Sequence, residues 1–331
     1  MDLLEPYSNF SIIGMAKNVG KTTALGYFIE EYGKRSKRLG LTSIGRDGED
    51  TDVVTKTEKP RIFVPKGTII ATAEKLLDLS DITKEILALK DVYTPLGRIV
   101  VVRSLSDGFV QLGGPSITIQ IADLLKDLRE FGVDKIIVDG AVGRKTLASP
   151  KVTEATILCT GASLNKNINV VVDETQHAVS ILTLPKVDKK NLADEIDALF
   201  AENEKNIKSQ KSIEVGKGIE TGKITVLEGG HLYIQGALSD ALVKDLVFSN
   251  TGICVIADDP SKVFIRPSTY EKLLIKKMRL MVRESINLVA VTVNPVSAYG
   301  INFNSEELLE KMSKAVSIPV YDLKEAPACL T

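Results

Sequence analysis

Apolar and polar positions in this chain switch repeatedly between two spacings. Phe10 to Ile13 is a mainly apolar run, interrupted only by the small Ser11, which reads as a strand, and Thr22 to Arg38 follows with apolar residues spaced for one face of a helix. A second short strand is expected at Leu41–Ile44. Further on, Arg61–Val64 reads as a strand, Thr72–Leu89 as a helix and Ile99–Val102 as another buried strand. Gly113-Gly114-Pro115-Ser116 breaks the chain before an amphipathic helix over Ile117–Phe131, with Ser116 as its expected N-cap and Gly132 as its stop. The strand Lys135–Ala141 runs onto the acid Asp139, Ala155–Cys159 is a further buried strand, and Pro185 stops a helix over Asn165–Leu184.

Residues 186–211 are charged and helically spaced, so they read as a surface helix joining two halves. Beyond Ser212, strands are expected at Ile224–Leu227, Leu232–Ile234, Gly252–Ala257, Leu288–Asn294 and Ile318–Tyr321. Helices are expected at Ser239–Phe248, Thr269–Glu284 and Ser305–Val316. Alternation of this kind predicts an α/β fold, a mostly parallel sheet flanked by helices. The division expected is a nucleotide-binding domain over 1–185, the connector 186–211 and a further α/β part over 212–331 that completes the nucleotide site.

The chemistry concentrates in Gly14-Met15-Ala16-Lys17-Asn18-Val19-Gly20-Lys21-Thr22-Thr23, which joins the first apolar strand to the first helix. A strand–loop–helix unit aims successive backbone N–H groups and a helix N-terminus at one point, an arrangement that holds phosphate. On this reading Lys21 reaches the outer phosphates and the Thr22 hydroxyl ligates Mg²⁺. Asp139, at a strand tip, either joins the metal shell or opens an ordinary Asp-Gly turn. Asp47, after the second strand and between Arg46 and Glu49, either orients water and metal or lies on the surface. Lys21 and Asp47 are the catalytic candidates, and Thr22, Asp47 and Asp139 the metal candidates.

Composition narrows the partners. Forty-two Lys+Arg against 43 Asp+Glu give a formal charge of −1, so there is no global pull toward nucleic acid or an anionic membrane. The basic run Lys34–Arg38 is expected to complement the negative end of the first helix. Cys159, Cys254 and Cys329 form no C-x-x-C pair, which argues against a zinc knot or a disulfide framework, and His177 and His231 are expected to be structural. No apolar run reaches the ~20 residues of a membrane span, and the acidic start is unlike a signal peptide, so a cytoplasmic location is expected.

The loop spacing, Gly14 then five residues then Gly20-Lys21-Thr22, resembles dethiobiotin synthetase and the related SIMIBI class of P-loop NTPases. That resemblance implies Mg·ATP. The nearest match to the guanine-reading Asn-Lys-x-Asp is Asn165-Lys166-Asn167-Ile168, which lacks the Asp. It also implies that Asn294, ending Val291-Thr292-Val293-Asn294-Pro295 ahead of Ile318-Pro319-Val320, contacts adenine, although Asn-Pro is equally a turn initiator. Lys17 lies one position nearer Lys21 than the signature lysine of MinD-like proteins, so a local phosphate contact or solvent is expected for it. Dimerisation across the nucleotide is common in the class.

Val138-Asp139-Gly140-Ala141-Val142-Gly143-Arg144-Lys145, with Ala148-Ser149-Pro150 and Leu158-Cys159-Thr160-Gly161-Ala162, is similar to the lysine 5,6-aminomutase reactivase subunits. This similarity implies an ATP-driven factor that acts, with a MutS-like ATPase, on a B12-dependent aminomutase. The chain has no Asp-x-His-x-x-Gly cobalamin motif, so any link to that cofactor runs through a partner. The expected function is a Mg·ATP-dependent ATPase acting on a protein client, and the alternative is an ATP-dependent small-molecule ligase or kinase.

Overall fold

The computed structural model describes residues 2–45, 61–140, 152–187, 196, 213–214, 223–227, 231–249 and 252–323. Its contacts divide the chain into two units, residues 1–176 with 287–331, and residues 177–286. The division thus falls at 177 and 287, not at the 185 and 212 suggested by the charged stretch.

Strand β1, Asn9–Gly14, is buried along its whole length. Helix α1, Lys21–Lys34, lays Ala24, Leu25, Phe28, Ile29 and Tyr32 on the core, and Phe28 meets Phe10 of β1 edge to face with ring centroids 5.1 Å apart. The helix ends at Lys34 because Ser36 adopts a left-handed conformation and the amide of Lys37 turns back to the Tyr32 carbonyl. Much of the basic run therefore lies past the helix. Lys37 pairs with Glu5 at 3.1 Å, and the Arg38 guanidinium pairs with Asp134 at 3.3 Å, holding that carboxyl below its usual range.

After β2, Leu39–Ser43, come β3, Ile62–Val64, and β4, Ile69–Ala73, and then only a single helical turn, α2, Glu74–Leu77. The helix expected over Thr72–Leu89 does not form. Thr72 is in the sheet, where its hydroxyl donates to the Gln111 carbonyl and accepts from the Gly113 amide, both at 3.0 Å. Lys84–Thr94 forms β5, drawn out by the β-branched run in its antiparallel partner β6, Gly97–Ser104. Tertiary pairing overrides a helix-like spacing here.

Strand β7, Gly108–Val110, pairs with β3. Helix α3, Thr118–Glu130, starts one residue beyond the expected position and has Ile117, not Ser116, as its uncapped N-cap. It leads to β8, Lys135–Asp139, β9, Ala155–Gly161, and α4, Ile168–Leu182, in which the division between the units falls.

The second unit has a five-stranded sheet of its own. Strands β10, Ile213–Glu214, and β11, Lys223–Val226, are antiparallel to their neighbours. The small pair β13, Leu238–Ser239, and β15, Val263–Phe264, lies apart from the sheet of β12, Leu232–Gln235, β14, Cys254–Ala257, and β16, Arg279–Val282, whose three strands are parallel. Helices α5, Asp240–Ser249, and α6, Pro267–Ile275, make the crossovers. The single helix expected over Thr269–Glu284 is instead α6 followed by β16. Lys277 takes a left-handed conformation, and the Met278 amide returns to the Leu273 carbonyl, which closes the helix and frees Arg279–Val282 to pair with β14. The connector expected over 186–211 lies largely outside the described residues.

The chain returns to the first unit through β17, Leu288–Asn294, α7, Ser305–Ala315, and β18, Val320–Asp322. The nine-stranded sheet runs β18-β17-β9-β1-β8-β2-β4-β6-β5, and β6 alone runs against the rest. The protein is therefore α/β, with a large, mostly parallel sheet flanked by helices. At the outer edge, Lys84, Glu85, Lys90 and Asp91 and two register shifts in β5 discourage pairing with another chain. No helix among the described residues is long and apolar enough to cross a membrane.

One buried cation ties the N-terminus to this sheet. Lys135, 4% exposed, donates from its ammonium to the carbonyls of Leu4 at 3.1 Å, Glu5 at 2.6 Å and Tyr7 at 2.7 Å. Replacing it leaves those carbonyls short of a partner, so Lys135→Met is expected to cost about 2–3 kcal/mol in urea unfolding.

In the second unit, Asp240 accepts from the Thr269 hydroxyl, from the Arg266 amide at 3.0 Å and from its guanidinium at 2.6 Å. These donors, Thr269 foremost, hold its carboxyl down to about 2 against an ordinary 3.8. A depressed folded value means that the stabilisation is whole above pH 3.8 and disappears as pH falls toward about 2. Asp240→Asn is expected to lower the melting temperature at neutral pH and to flatten acid unfolding across that window, as read by circular dichroism.

Candidate functional site

Because β1, β2, β8, β9 and β17 all run the same way, Gly14, Ser43, Asp139, Gly161 and Asn294 arrive together at one edge of the sheet. In open parallel sheets the crevice outside the carboxyl ends is where ligands bind. The loop from Gly14 to Gly20 stands over this edge. Two anchors fix it: Val19 is 1% exposed in the core, and the Met15 amide donates to the Cys159 carbonyl at 3.0 Å. Asn18 and Gly20 both take left-handed conformations, with φ of 59° and 96°, which bends the backbone into the start of α1.

Helix α1 opens on the crevice without a side-chain cap and without an acid in its first turn. Its first amides and the positive end of its dipole therefore face the crevice uncompensated by side chains. Thr22 and Thr23, in that turn, are exposed, whereas Met15, Ala16, Lys17 and Lys21 are half-buried.

Lys21 folds back over the loop. Its ammonium donates to the Ala16 carbonyl at 3.1 Å and lies 2.9 Å from where a Cβ on Gly14 would stand, so a side chain at Gly14 would make it shift. Burial pulls its pKa below the ordinary lysine value, and the Asp139 carboxylate opposes that shift. Asp139 is itself half-buried at the tip of β8. Lys17 adds a second positive charge close enough to be felt at Lys21.

On the other side of the loop, a small open pocket is walled by Gly20, Thr23, Thr292, Asn294, Asp322 and Leu323. Asn294 meets the loop directly, since a Cβ on Gly20 would lie 3.1 Å from its own Cβ. Asp322 is buried and accepts from the Ser305 hydroxyl at 2.5 Å. A second, apolar pocket shares Thr292 and Leu323 with the first and extends to Tyr27, Phe28 and Tyr321.

The residues from Gly14 to Thr23, Asp139 and Asn294 are thus brought to one edge. Asp47, Arg46, Glu49, Arg144 and Lys145 lie outside the described residues. Among the described residues no three of His, Cys, Asp and Glu gather as a metal cluster, and of the metal candidates Thr22 and Asp139 stand at this edge. Cys159, directly beneath the loop, is buried, and that burial pushes its thiol up to about 11, which makes it inert as a nucleophile. The two histidines hold structure: His177 bonds the Ile265 carbonyl at 2.8 Å, and His231 accepts from the Cys254 amide at 3.2 Å. Cys329 lies outside the described residues.

No protein-family model, curated protein or solved structure matches this chain.

Thr292, Asp322 and Gly161 belong to this edge and were not singled out from the sequence as site residues. Asp322 follows the Ile318–Tyr321 run by one residue, and that position, immediately after a strand, is the one signal that points to it. Gly20→Ala would place a methyl against Asn294 in a left-handed conformation, and a cost of about 1–3 kcal/mol is expected. Gly26→Ala, on the exposed face of α1 with open space around it, should instead stabilise by about 0.5–1 kcal/mol. Thermal unfolding of the two variants reads both outcomes.

Proposed function

We propose that this protein is a P-loop NTPase that binds Mg·ATP at residues 14–23 and couples binding or hydrolysis to action on a protein client. The observation that carries the reading is the meeting, at one carboxyl edge, of a glycine-bounded loop, an uncapped helix N-terminus and a half-buried lysine. Fold-level likeness is not the warrant, because unrelated activities share such sheets.

The chemistry follows from charge. The amides of residues 15–22 and the half-buried Lys21 ammonium would surround the β- and γ-phosphates. Lys21 would exchange the Ala16 carbonyl for phosphate oxygen, a stronger acceptor because it is charged. Thr22 and Asp139 are the described residues fitted to hold Mg²⁺, which would neutralise charge on the triphosphate. Asn294 and Thr23 would border the nucleoside. A narrower proposal, that the client is a B12-dependent aminomutase served together with a MutS-like ATPase, rests on the resemblance of residues 138–145 and 158–162.

One observation favours a second reading, a small-molecule ligase or kinase. An apolar depression lined by Tyr27, Phe28, Ala290 and Tyr321 adjoins the polar one and offers a surface on which the apolar part of a small acceptor could rest. The two readings part in a phosphate-release assay. A client-directed ATPase is expected to speed up on adding a protein, and a ligase or kinase on adding a small acceptor.

Thermal shift tests the shared premise. Mg·ATP at about 100 times its dissociation constant should stabilise the first unit by about 2.7 kcal/mol, and Lys21→Ala should abolish the shift while leaving the unliganded melting temperature nearly unchanged. A full shift in Lys21→Ala would overturn the proposal.

A further inference from the structure

In the second unit, the end of helix α6 and the start of strand β16 break several local preferences at one spot. Leu274 and Ile275, in the last turn of the helix, are 56% and 78% exposed. Lys272 and Lys276 stand one turn apart beside them, a spacing at which like charges repel. Lys277 holds a left-handed conformation, φ 54°, where glycine closes a helix at least cost. Arg279, two residues on, is exposed at the start of β16. Among the described residues none of these four cations pairs with an acid, and Glu271 is the single acid on α6.

Ordinary helix chemistry accounts for part of this. Cations near a helix C-terminus complement the negative end of the dipole, which explains Lys272 and Lys276. It does not explain two large apolar side chains in water, a lysine at a left-handed position or an arginine in the next strand. Departures from local rules that gather at one place are characteristic of functional surfaces.

The neighbouring backbone is open as well. β16 is the last strand of its sheet, and on its outer side the described residues bridge it only at its far end, Val282 to Lys186. A free strand edge is a template for an extended segment of another chain. Charge decides which chain. A second copy would bring the same cations against this edge and be repelled, whereas an acidic segment is drawn to it.

We propose that the corner between α6 and β16 docks an extended segment of a partner protein in which acidic and apolar residues alternate. Its apolar side chains cover Leu274 and Ile275, its acids meet Lys272, Lys276, Lys277 and Arg279, and its backbone lengthens the sheet at residues 279–281. An anionic membrane would share the electrostatics but has no use for a strand edge. The inference stands whether or not residues 14–23 hold a nucleotide.

Fluorescence anisotropy of the full chain with a short labelled peptide of alternating glutamate and valine tests it. The control peptide has glutamine for every glutamate, and vesicles of phosphatidylcholine with phosphatidylserine offer the competing surface. The acidic peptide is expected to bind about tenfold or more tighter than the control, and more weakly as salt rises from about 50 to 500 mM. Lys272→Glu with Lys276→Glu, and Leu274→Ser with Ile275→Ser, are surface changes that should leave the melting temperature nearly unchanged. Each pair should lower the affinity for the acidic peptide about tenfold or more. If either double variant does not fold, Arg279→Glu decides in its place. Equal binding of the two peptides, no binding of either, or an affinity unchanged in the variants would overturn the inference. So would vesicle binding that the variants abolish and the acidic peptide does not compete, which would make the corner a membrane surface.

Discussion

The pairing of β1 with β8 on one side and β9 on the other governs what can happen at the carboxyl edge. Parallel ladders set Ile12 opposite Asp139 and Gly14 opposite Cys159, while β2 brings Ser43 opposite Asp139. A slip of one residue would turn every side chain of β1 to the other face, and since all six residues of β1 are buried no such slip is tolerated. The register therefore fixes the start of the loop, the position of the acid and the amide–carbonyl bond from Met15 to Cys159 that pins the two together.

Two lysines show how the same chemistry can serve the fold or the site. An ammonium has three donors. Lys135 is more deeply buried and spends its donors on three carbonyls of the N-terminal turn, which compensates the cost of removing the charge from water. Among the described residues, Lys21 donates to one carbonyl, at 3.1 Å, and has an acid across the edge that it feels electrostatically. It retains donor capacity in a place of reduced dielectric, where each new contact to an anion gains more than it would in bulk water.

Much of the fold was legible in the sequence, and the misses have identifiable causes. β1, β8, β9 and β17 are short apolar runs buried on both faces, so their signal is local, as is the glycine-lysine-threonine turn after β1. Thr72–Leu89 and Thr269–Glu284 misled because leucines and isoleucines fall at helical intervals in both, while the deciding partners, Gly97–Ser104 and Cys254–Ala257, are brought in by tertiary pairing. The site divides in the same way. Gly14 to Thr23 and Asp139 are recognisable from their own neighbours, whereas Gly161 and Thr292 matter only for what faces them across a strand boundary, which no spacing encodes. The return of the chain to the first sheet after residue 286 was signalled only by the resemblance of Val291–Pro295 and Ile318–Val320, because nothing in the hydrophobic pattern of 288–323 differs from the strands and helices before it.

That return explains how a residue so late in the chain can wall a site begun at residue 14. An insertion between α4 and β17 adds little entropic cost, since each doubling of a connecting loop costs only about 0.6 kcal/mol, and a segment that folds into its own sheet and core offsets more than this. What the geometry demands is accuracy at re-entry. Asn287 holds the entry: its side-chain amide donates to the Glu154 carbonyl at 3.1 Å, and its carbonyl accepts the Thr156 amide at 2.9 Å. The register then shifts by one residue between Leu288 and Ala290, and the five paired positions from Ala290 to Asn294 set Asn294 opposite Gly161. The pocket wall at the far end is therefore set by the ladder beyond that irregularity, with the strand's start tethered by Asn287.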